Sequence, residues 1–368
     1  MNEPITYAQA GVDTAAGDRA VELMKDAVKA THSPAVLGGF GGFAGMVDAS
    51  ALRGMRQPVL ATSTDGVGTK VALAQALDIH DTIGHDLVGM VVDDIVVVGA
   101  QPLFMTDYIA CGSVVPDRIA AIVRGIAQAC QLAGTALVGG ETAEHPGLLG
   151  VDEYDVAGAC TGVVEADRVL GPQRVRDTDV LIGMASSGLH SNGYSLVRRV
   201  IERANWSLDR QVPEFGRTLG EELLQPTRIY ASDCLALAQD QSCGVRAFTH
   251  VTGGGLAANL ARVLPAGLVA DVHRDSWIVP PVFDVVRGLG AVPWPDLEST
   301  LNLGVGMVAV VAAGSADHAL ARGHSLGLAP WVLGEVRQLA DLSEADLVSG
   351  TKGVDGGAVR MSGDYRLS

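Results

Sequence analysis

Apolar runs alternate with polar, glycine-rich breaks along most of the chain, and the period of each run sets the element expected there. After a turn-rich entry at Tyr7–Asp13, apolar positions Ala20, Leu23, Met24, Ala27 and Val28 recur at helical spacing. They predict a helix from about Ala15 to Thr31 with Asp13 as its cap. Lys25 and Lys29 stand four apart and share one face of it, where solvation is the ordinary state. Val59–Ala61 leads into STDGVGTK (Ser63–Lys70), and a helix-compatible run, Val71–Leu77, leaves it. Gly84–Ala100 reads as a buried helix that Asp93 and Asp94 interrupt. A strand (Leu103–Cys111), a helix from Pro116 to Ala133 closed by Gly134, and a strand TALVGG delivering Glu141 into a GGETAEHPG loop follow. Tyr154–Glu165 is a strand of small residues.

The second half repeats the rhythm. A strand (Val180–Ala185) enters SSGLHSNG and a helix; Pro226–Gln239 is an amphipathic helix; a strand ends at His250–Val251 before three glycines and a helix near Leu256. Thr300–Ala313 ends in a buried strand, and a helix (Ser315–Leu326) and a strand (Trp331–Val336) follow. Such alternation indicates an α/β (α+β) fold. The polar stretch Ala166–Asp179 marks a boundary between domains at 1–170 and 171–340. The remainder, 341–368, is polar and glycine-rich and is expected to be a loosely attached tail with no part in the chemistry.

Composition narrows the function. The 368 residues carry 26 basic against 42 acidic side chains, a net charge of −16. That balance argues against general binding to nucleic acid or an anionic membrane, but not against a small anion in a local pocket. The 46 glycines cluster between apolar runs, as in phosphate loops and tight turns. Five cysteines, with no C-x-x-C, indicate neither a disulfide framework nor a structural zinc site; Cys111, Cys130 and Cys160 read as small buried hydrophobes. No secretory signal and no apolar run of membrane-spanning length is recognisable, so a cytoplasmic location is expected.

Three stretches carry candidate chemistry. In STDGVGTK, Gly66 and Gly68 let backbone N–H groups approach an anion, and Asp65 suits a hard divalent cation bridging phosphates. The alternative is a tight strand-to-helix turn with a capping Asp. In VLGGFGGFAG (Val36–Gly45), either a lid closes on a ligand with Phe40 and Phe43, or an edge strand sends the phenylalanines into the core. Asp93 and Asp94 point about 100° apart on a helix, so one faces inward and needs a partner or a metal. Glu141 is offered at a strand end, with Glu144 and His145 in the same loop. Ser186, Ser187, Gly188, Ser191 and Asn192 form a phosphate cradle around His190, which is either a proton shuttle or a loop hydrogen-bonder. His250, Thr252 and Gly253–Gly255 repeat the strand–glycine loop–helix arrangement.

STDGVGTK, DIVVVGAQP, GGETAEHPG, SSGLHSNGYSLVRR, PTRIY and VTGGG followed by LARVLP, in that order over about residues 5–338, resemble the phosphoribosylformylglycinamidine cyclo-ligases. The resemblance implies ATP-dependent ring closure of formylglycinamidine ribonucleotide to aminoimidazole ribonucleotide through an iminophosphate, in purine synthesis. It implies a homodimer whose N-terminal mixed sheets pair into a barrel, each with a C-terminal α+β domain. It implies magnesium (Mg2+) held by Asp65, Asp94 and Glu141, and phosphate contacts from Thr69 and Lys70. Gly39, Gly41 and Gly42 would cover ATP; Lys25, Gly66, Gly68, Gly99 and Gly140 would lie beside it. Ser187, Gly188, Ser191, Asn192, His250, Thr252, Gly253 and Gly254 would hold the substrate, and His190 would move a proton during ring closure. Sister enzymes of the superfamily fit less well: selenophosphate synthetases carry a reactive Cys before the glycine loop, and no Cys precedes Cys111. A non-catalytic nucleotide-binding protein would be expected to have lost Asp65, Asp94 and Glu141.

Overall fold

The computed structural model describes residues 11–39, 41–341, 347–350 and 356–368. The chain divides into two compact units. The first takes residues up to Ile95 together with Gln101–Ala166, and the second takes Val96–Ala100 with Asp167–Ser368.

Unit 1 contains, in order, α1 (Thr14–Ala30), β1 (Val36–Leu37), β2 (Met46–Val47), β3 (Pro58–Gly66), α2 (Val71–Leu77), α3 (Ile83–Val96), β4 (Gln101–Cys111), α4 (Pro116–Ala133), β5 (Ala136–Glu144) and β6 (Tyr154–Glu165). Its sheet is mixed: the order is β3-β6-β4-β5, antiparallel except for the β4–β5 pair. Local signals fix the helix ends. Asp13 Oδ1 accepts from the backbone N–H groups of Ala15 and Ala16 at 3.0 and 3.1 Å, satisfying donors that an uncapped helix start leaves open. Ala20, Met24 and Val28, four apart, form the buried stripe of α1. Gly134 ends α4 at φ +69°, which costs an L-residue strain and glycine none. Leu87, Val88, Val91 and Val92 of α3 are fully buried.

One open alternative closes here, and one expectation changes. Phe43 is fully exposed at the tip of the Gly38–Gly45 loop, so it is not a core residue of an edge strand; Phe40 lies outside the described residues. Glu141 is inside β5, not in a loop, because pairing with β4 continues to Glu144.

Unit 2 contains β7 (Val180–Ala185), α5 (Tyr194–Ala204), β8 (Gln211–Val212), β9 (Arg217–Thr218), α6 (Leu219–Leu223), α7 (Ala231–Gln239), β10 (Val245–His250), α8 (Gly255–Ala261), β11 (Leu268–His273), β12 (Ile278–Val279), α9 (Pro281–Gly290), α10 (Trp294–Glu298), β13 (Val305–Val311), α11 (Ala316–Ser325), β14 (Trp331–Gln338), β15 (Leu347–Ser349), β16 (Ala358–Ser362) and β17 (Arg366–Leu367). Its main sheet runs β10-β13-β7-β14-β11-β16-β15. β13, buried at every position, is antiparallel to β10 on one side and to β7 on the other. β7 and β10 therefore run the same way and end side by side. Residues 226–230 are not helical, and α7 starts only at Ala231.

The C-terminal stretch corrects the expectation of a loose tail. β16 pairs in parallel with β11, and Val359 is fully buried. Arg360 closes a two-pronged ion pair on Asp271 at 2.6 and 3.0 Å, and the Tyr365 ring lies 4.6 Å from that of Trp294. The exposed edge of β11 supplied the partner that glycine-rich composition concealed. Val359→Asp should lower the stability of the protein by about 3 kcal/mol or more, as expected for a carboxylate forced into a core; an unchanged urea midpoint would mean the segment is not integral.

Candidate functional site

Unit 1 holds a cleft of about 670 Å³. Gly17, Ala20 and Met24 of α1 form one wall, the Gly38–Gly45 loop another, and Gly139–Thr142 of β5 with Asp107 of β4 a third. Gly39, Gly41, Gly42, Gly140 and Glu141 are thus brought together. Lys25 is on α1 but does not line the cleft; its Nζ lies 3.4 Å from Glu22.

STDGVGTK forms the strand-to-helix turn expected of it. Asp65 is the penultimate residue of β3, and its Oδ1 accepts from the Gly66 N–H at 2.7 Å. Gly68 and Thr69 are exposed. Lys70 departs from its expected phosphate contact. It is fully buried, with Nζ 2.7 Å from Asp86 Oδ1, also fully buried. Burial pushes the ammonium's pKa down, and the Asp86 charge pulls it back. Between such partners each charge neutralises the other, and neither is offered to a ligand.

The three expected metal ligands do not converge. Of the adjacent acids on α3, Asp93 is fully buried and Asp94 partly so. Cross-strand partners place Asp65, Gly158, Asp107 and Gly140 in one row of the sheet, and Gly66, Ala157, Tyr108 and Glu141 in the next. Neighbouring rows face opposite sides, and Asp65 and Glu141 stand on opposite edge strands, three strand spacings or about 14 Å apart. One ion cannot take a ligand from both within this unit. Among the described residues, three potential ligands within 4.8 Å of one another occur at Asp240, Cys243 and His318 of unit 2, not at the expected trio. Gly99 also has another role: at φ +80° it terminates α3, and a Cβ there would press on Leu170.

Asp107 was not anticipated. On β4, Met105, Ile109 and Cys111 are buried on the helix-covered face, and the alternation puts a carboxyl between them. Its Oδ2 is buried without a hydrogen-bond partner, and desolvation pushes its pKa up to about 7. A Cβ on Gly140 would overlap its Oδ1, so glycine there makes room for it. An acid interrupting an apolar period-2 row is the signal that the sequence carried.

In unit 2 the two glycine loops leave the adjacent ends of β7 and β10. A Cβ on Gly253 would lie 3.3 Å from Asn192 Oδ1, so the loops meet. Ser187 Oγ donates to the Pro226 carbonyl at 2.6 Å. Gly188 and Ser191 are buried, and Gly193, at φ +78°, begins α5 where a side chain would strike Leu301. His190 is buried, and its Nε2 accepts from the Ser187 N–H at 3.1 Å. His250 is buried at the end of β10; Thr252, Gly253 and Gly254 remain accessible. Two asparagines the sequence reading missed pin these loops. Asn302 Nδ2 donates to the Gly188 carbonyl at 2.9 Å, while its Oδ1 accepts from Ser186 Oγ and the Gly304 N–H. Asn259 Nδ2 donates to the carbonyls of Thr252, Gly253 and Gly255. A buried Asn in an apolar run is the mark of each.

The comparisons agree over nearly the whole chain. The family model described as AIR synthase related protein, N-terminal domain, matches residues 46–164, and its C-terminal counterpart matches 176–343. A phosphoribosylformylglycinamidine cyclo-ligase of Geobacillus kaustophilus is 49% identical over 340 residues, covering 92% of this chain and 97% of the relative. One from Sorangium cellulosum is 49% identical over 339 residues, again covering 92% and 97%. Among solved structures, thiamine-monophosphate kinase from Stenotrophomonas maltophilia superposes with a TM-score of 0.65 at 20% identity, covering 93% of this chain and 96% of that one. The hydrogenase maturation protein HypE in complex with ATP gives 0.63 at 17% identity, covering 94% and 91%. At these identities the structures share the fold alone.

Asp107 gives a pH prediction. Its folded pKa of about 7 lies above the ordinary carboxylate value. Between about pH 4 and 7 the folded protein therefore holds a proton that the unfolded chain releases. Its contribution to stability falls as pH rises through that window and is level above it. Asp107→Asn lacks this titration, so its stability relative to the parent should rise from pH 4 to 7 by a few kcal/mol at most. Equal pH profiles in chemical denaturation would show that the carboxyl is ionised in the folded state.

Proposed function

Because the chain belongs to the phosphoribosylformylglycinamidine cyclo-ligase family, we propose that its two units divide one reaction between nucleotide and phosphoribosyl substrate. The reaction is ATP-dependent closure of formylglycinamidine ribonucleotide to aminoimidazole ribonucleotide, a step of purine synthesis. The formyl oxygen takes the γ-phosphoryl group, and ADP leaves. The amidine nitrogen attacks the activated carbon, and phosphate departs with that oxygen.

The observation that carries the assignment of roles is the pair of glycine loops meeting at the ends of β7 and β10. Backbone N–H groups there, with the N-terminus of α5, suit the substrate's phosphate. We assign Ser187, Gly188, Ser191, Asn192, Thr252, Gly253 and Gly254 to the substrate. His250 and His190 shape these loops; His190, accepting from Ser187, holds its own loop. The unit 1 cleft is assigned to ATP, with Gly39, Gly41 and Gly42 as its cover and the exposed Phe43 as the closing side chain. Phosphoryl transfer needs position and charge neutralisation more than covalent help, and a cover that excludes water supplies the first. Magnesium accompanies ATP as a counter-ion, but no step is assigned to it, since Asp65 and Glu141 cannot share one ion. A cytoplasmic homodimer completes the reading. Among the described residues edge strand β3 has β6 as its one neighbour, and Leu60 is 62% exposed, an edge that ordinarily finds a partner.

Substrate-dependent ADP release matched one to one by aminoimidazole, followed as its diazo dye, is the expected result. ADP without the imidazole would reassign the acceptor. Leu60→Lys should convert a dimer to monomers in light scattering while leaving the far-ultraviolet circular dichroism unchanged; a dimer that persists would move the interface elsewhere.

A further inference from the structure

We propose that Asp107 reads the base of the nucleotide, its carboxyl accepting a hydrogen bond from the 6-amino group of adenine. The proposal rests on the nucleotide reading of the unit 1 cleft and adds a specificity residue to it.

The cleft's walls are mainly aliphatic and glycyl: Ala20, Met24 and Val28 on one side, Leu137 and Gly139–Gly140 on another. Flat apolar walls suit a purine ring but do not distinguish one purine from another. Discrimination needs a polar group whose own hydrogen bond is left unmade by the wrong base. The ionisable side chains lining the cleft are His32, Asp107 and Glu141. His32 Nε2 is committed to the Leu137 carbonyl at 2.8 Å, and Glu141 is exposed on the neighbouring row. Asp107 differs from both. Its Oδ2 is buried with no partner, a state that folded proteins seldom tolerate without use. Its Oδ1 stands over Gly140, where any other residue would displace it. Among the described residues no cation neutralises it, so a phosphate is the wrong occupant, and a ligand N–H is the right one. Adenine presents an amino group at position 6. Guanine and hypoxanthine present a carbonyl oxygen there, which a carboxylate repels.

The test is a cycle between the residue and the ligand group, read by calorimetry at pH 8.5, where the carboxyl is ionised. ATP is compared with purine riboside triphosphate, which lacks the amino group, and with inosine triphosphate. Removing the amino group should weaken binding to the parent protein about tenfold, the weight of one hydrogen bond to a buried polar group. It should change nothing in Asp107→Leu. Asp107→Asn guards against a misfolded leucine variant: its amide accepts from the amino group or turns to donate to a carbonyl. It should therefore keep ATP affinity and bind inosine triphosphate about tenfold better than the parent does. An equal loss in the parent and in Asp107→Leu, or an unchanged ATP-to-inosine ratio in Asp107→Asn, overturns the assignment. Photolabelling by 8-azido-ATP separates the two levels. Label on α1 or β5 peptides with no coupling to Asp107 sinks this proposal alone; label away from them sinks the cleft as the nucleotide site.

Discussion

The ion pair between Lys70 and Asp86 holds the signature turn of unit 1 in place. The turn joins edge strand β3 to α2, and Val67 is its one apolar side chain, buried in the core. Lys70 reaches inward from its last residue to α3, the most buried helix of the unit. An ammonium and a carboxylate at 2.7 Å tolerate that interior only as a pair; with either partner gone, the other is an uncompensated charge worth about 3–5 kcal/mol. The exposed groups of the turn, Asp65, Gly68 and Thr69, owe their position to a residue that cannot itself touch a ligand. A lysine next to a glycine-rich turn invites a phosphate reading, and here it is the foundation beneath the turn.

Unit 2 solves a similar problem without charge. Two loops rich in glycine and serine must keep one conformation beside a wet opening. Asn259 donates to three carbonyls, and Asn302 bridges the Gly188 carbonyl, the Ser186 hydroxyl and the Gly304 N–H, each with little side-chain entropy to lose. The strands supply the rest. Since β7 and β10 flank β13 in the same sense, their C-terminal loops are neighbours although about 65 residues separate them in sequence.

How much was legible in the sequence follows the range of the interaction. Asp13, Pro116 and Gly134 act within a turn or two of themselves, and the helix ends they mark stand where expected. The runs Tyr154–Glu165 and Val180–Ala185 also match their strands residue for residue, because burial writes its period directly into the chain. The failures are long-range. Burial of Lys70 depends on an acid 16 residues away, and the separation of Asp65 from Glu141 depends on two intervening strands. The order of strands in the sheet is not written near either residue. Asp107 was visible as an acid in an apolar row, but only once the row's face was known. Proline at 226 suggested a helix start, yet the carbonyl there is taken by Ser187, and no helix begins before Ala231.

The parallel pairing of β11 with β16 sets an order in which the protein can be made. Asp271 and Arg360, joined in the finished sheet, are 89 residues apart, with β17 and β12 closing later still. Every residue of the unit 1 sheet has been synthesised by Glu165, so that sheet can assemble while the remainder is still on the ribosome. The main sheet of unit 2 cannot be complete until β16 emerges. Until then β11 is an open edge on a nascent chain. Ala358–Ser362 is therefore a checkpoint: a chain interrupted before that strand has a finished first unit and an open edge for chaperones or proteases to find.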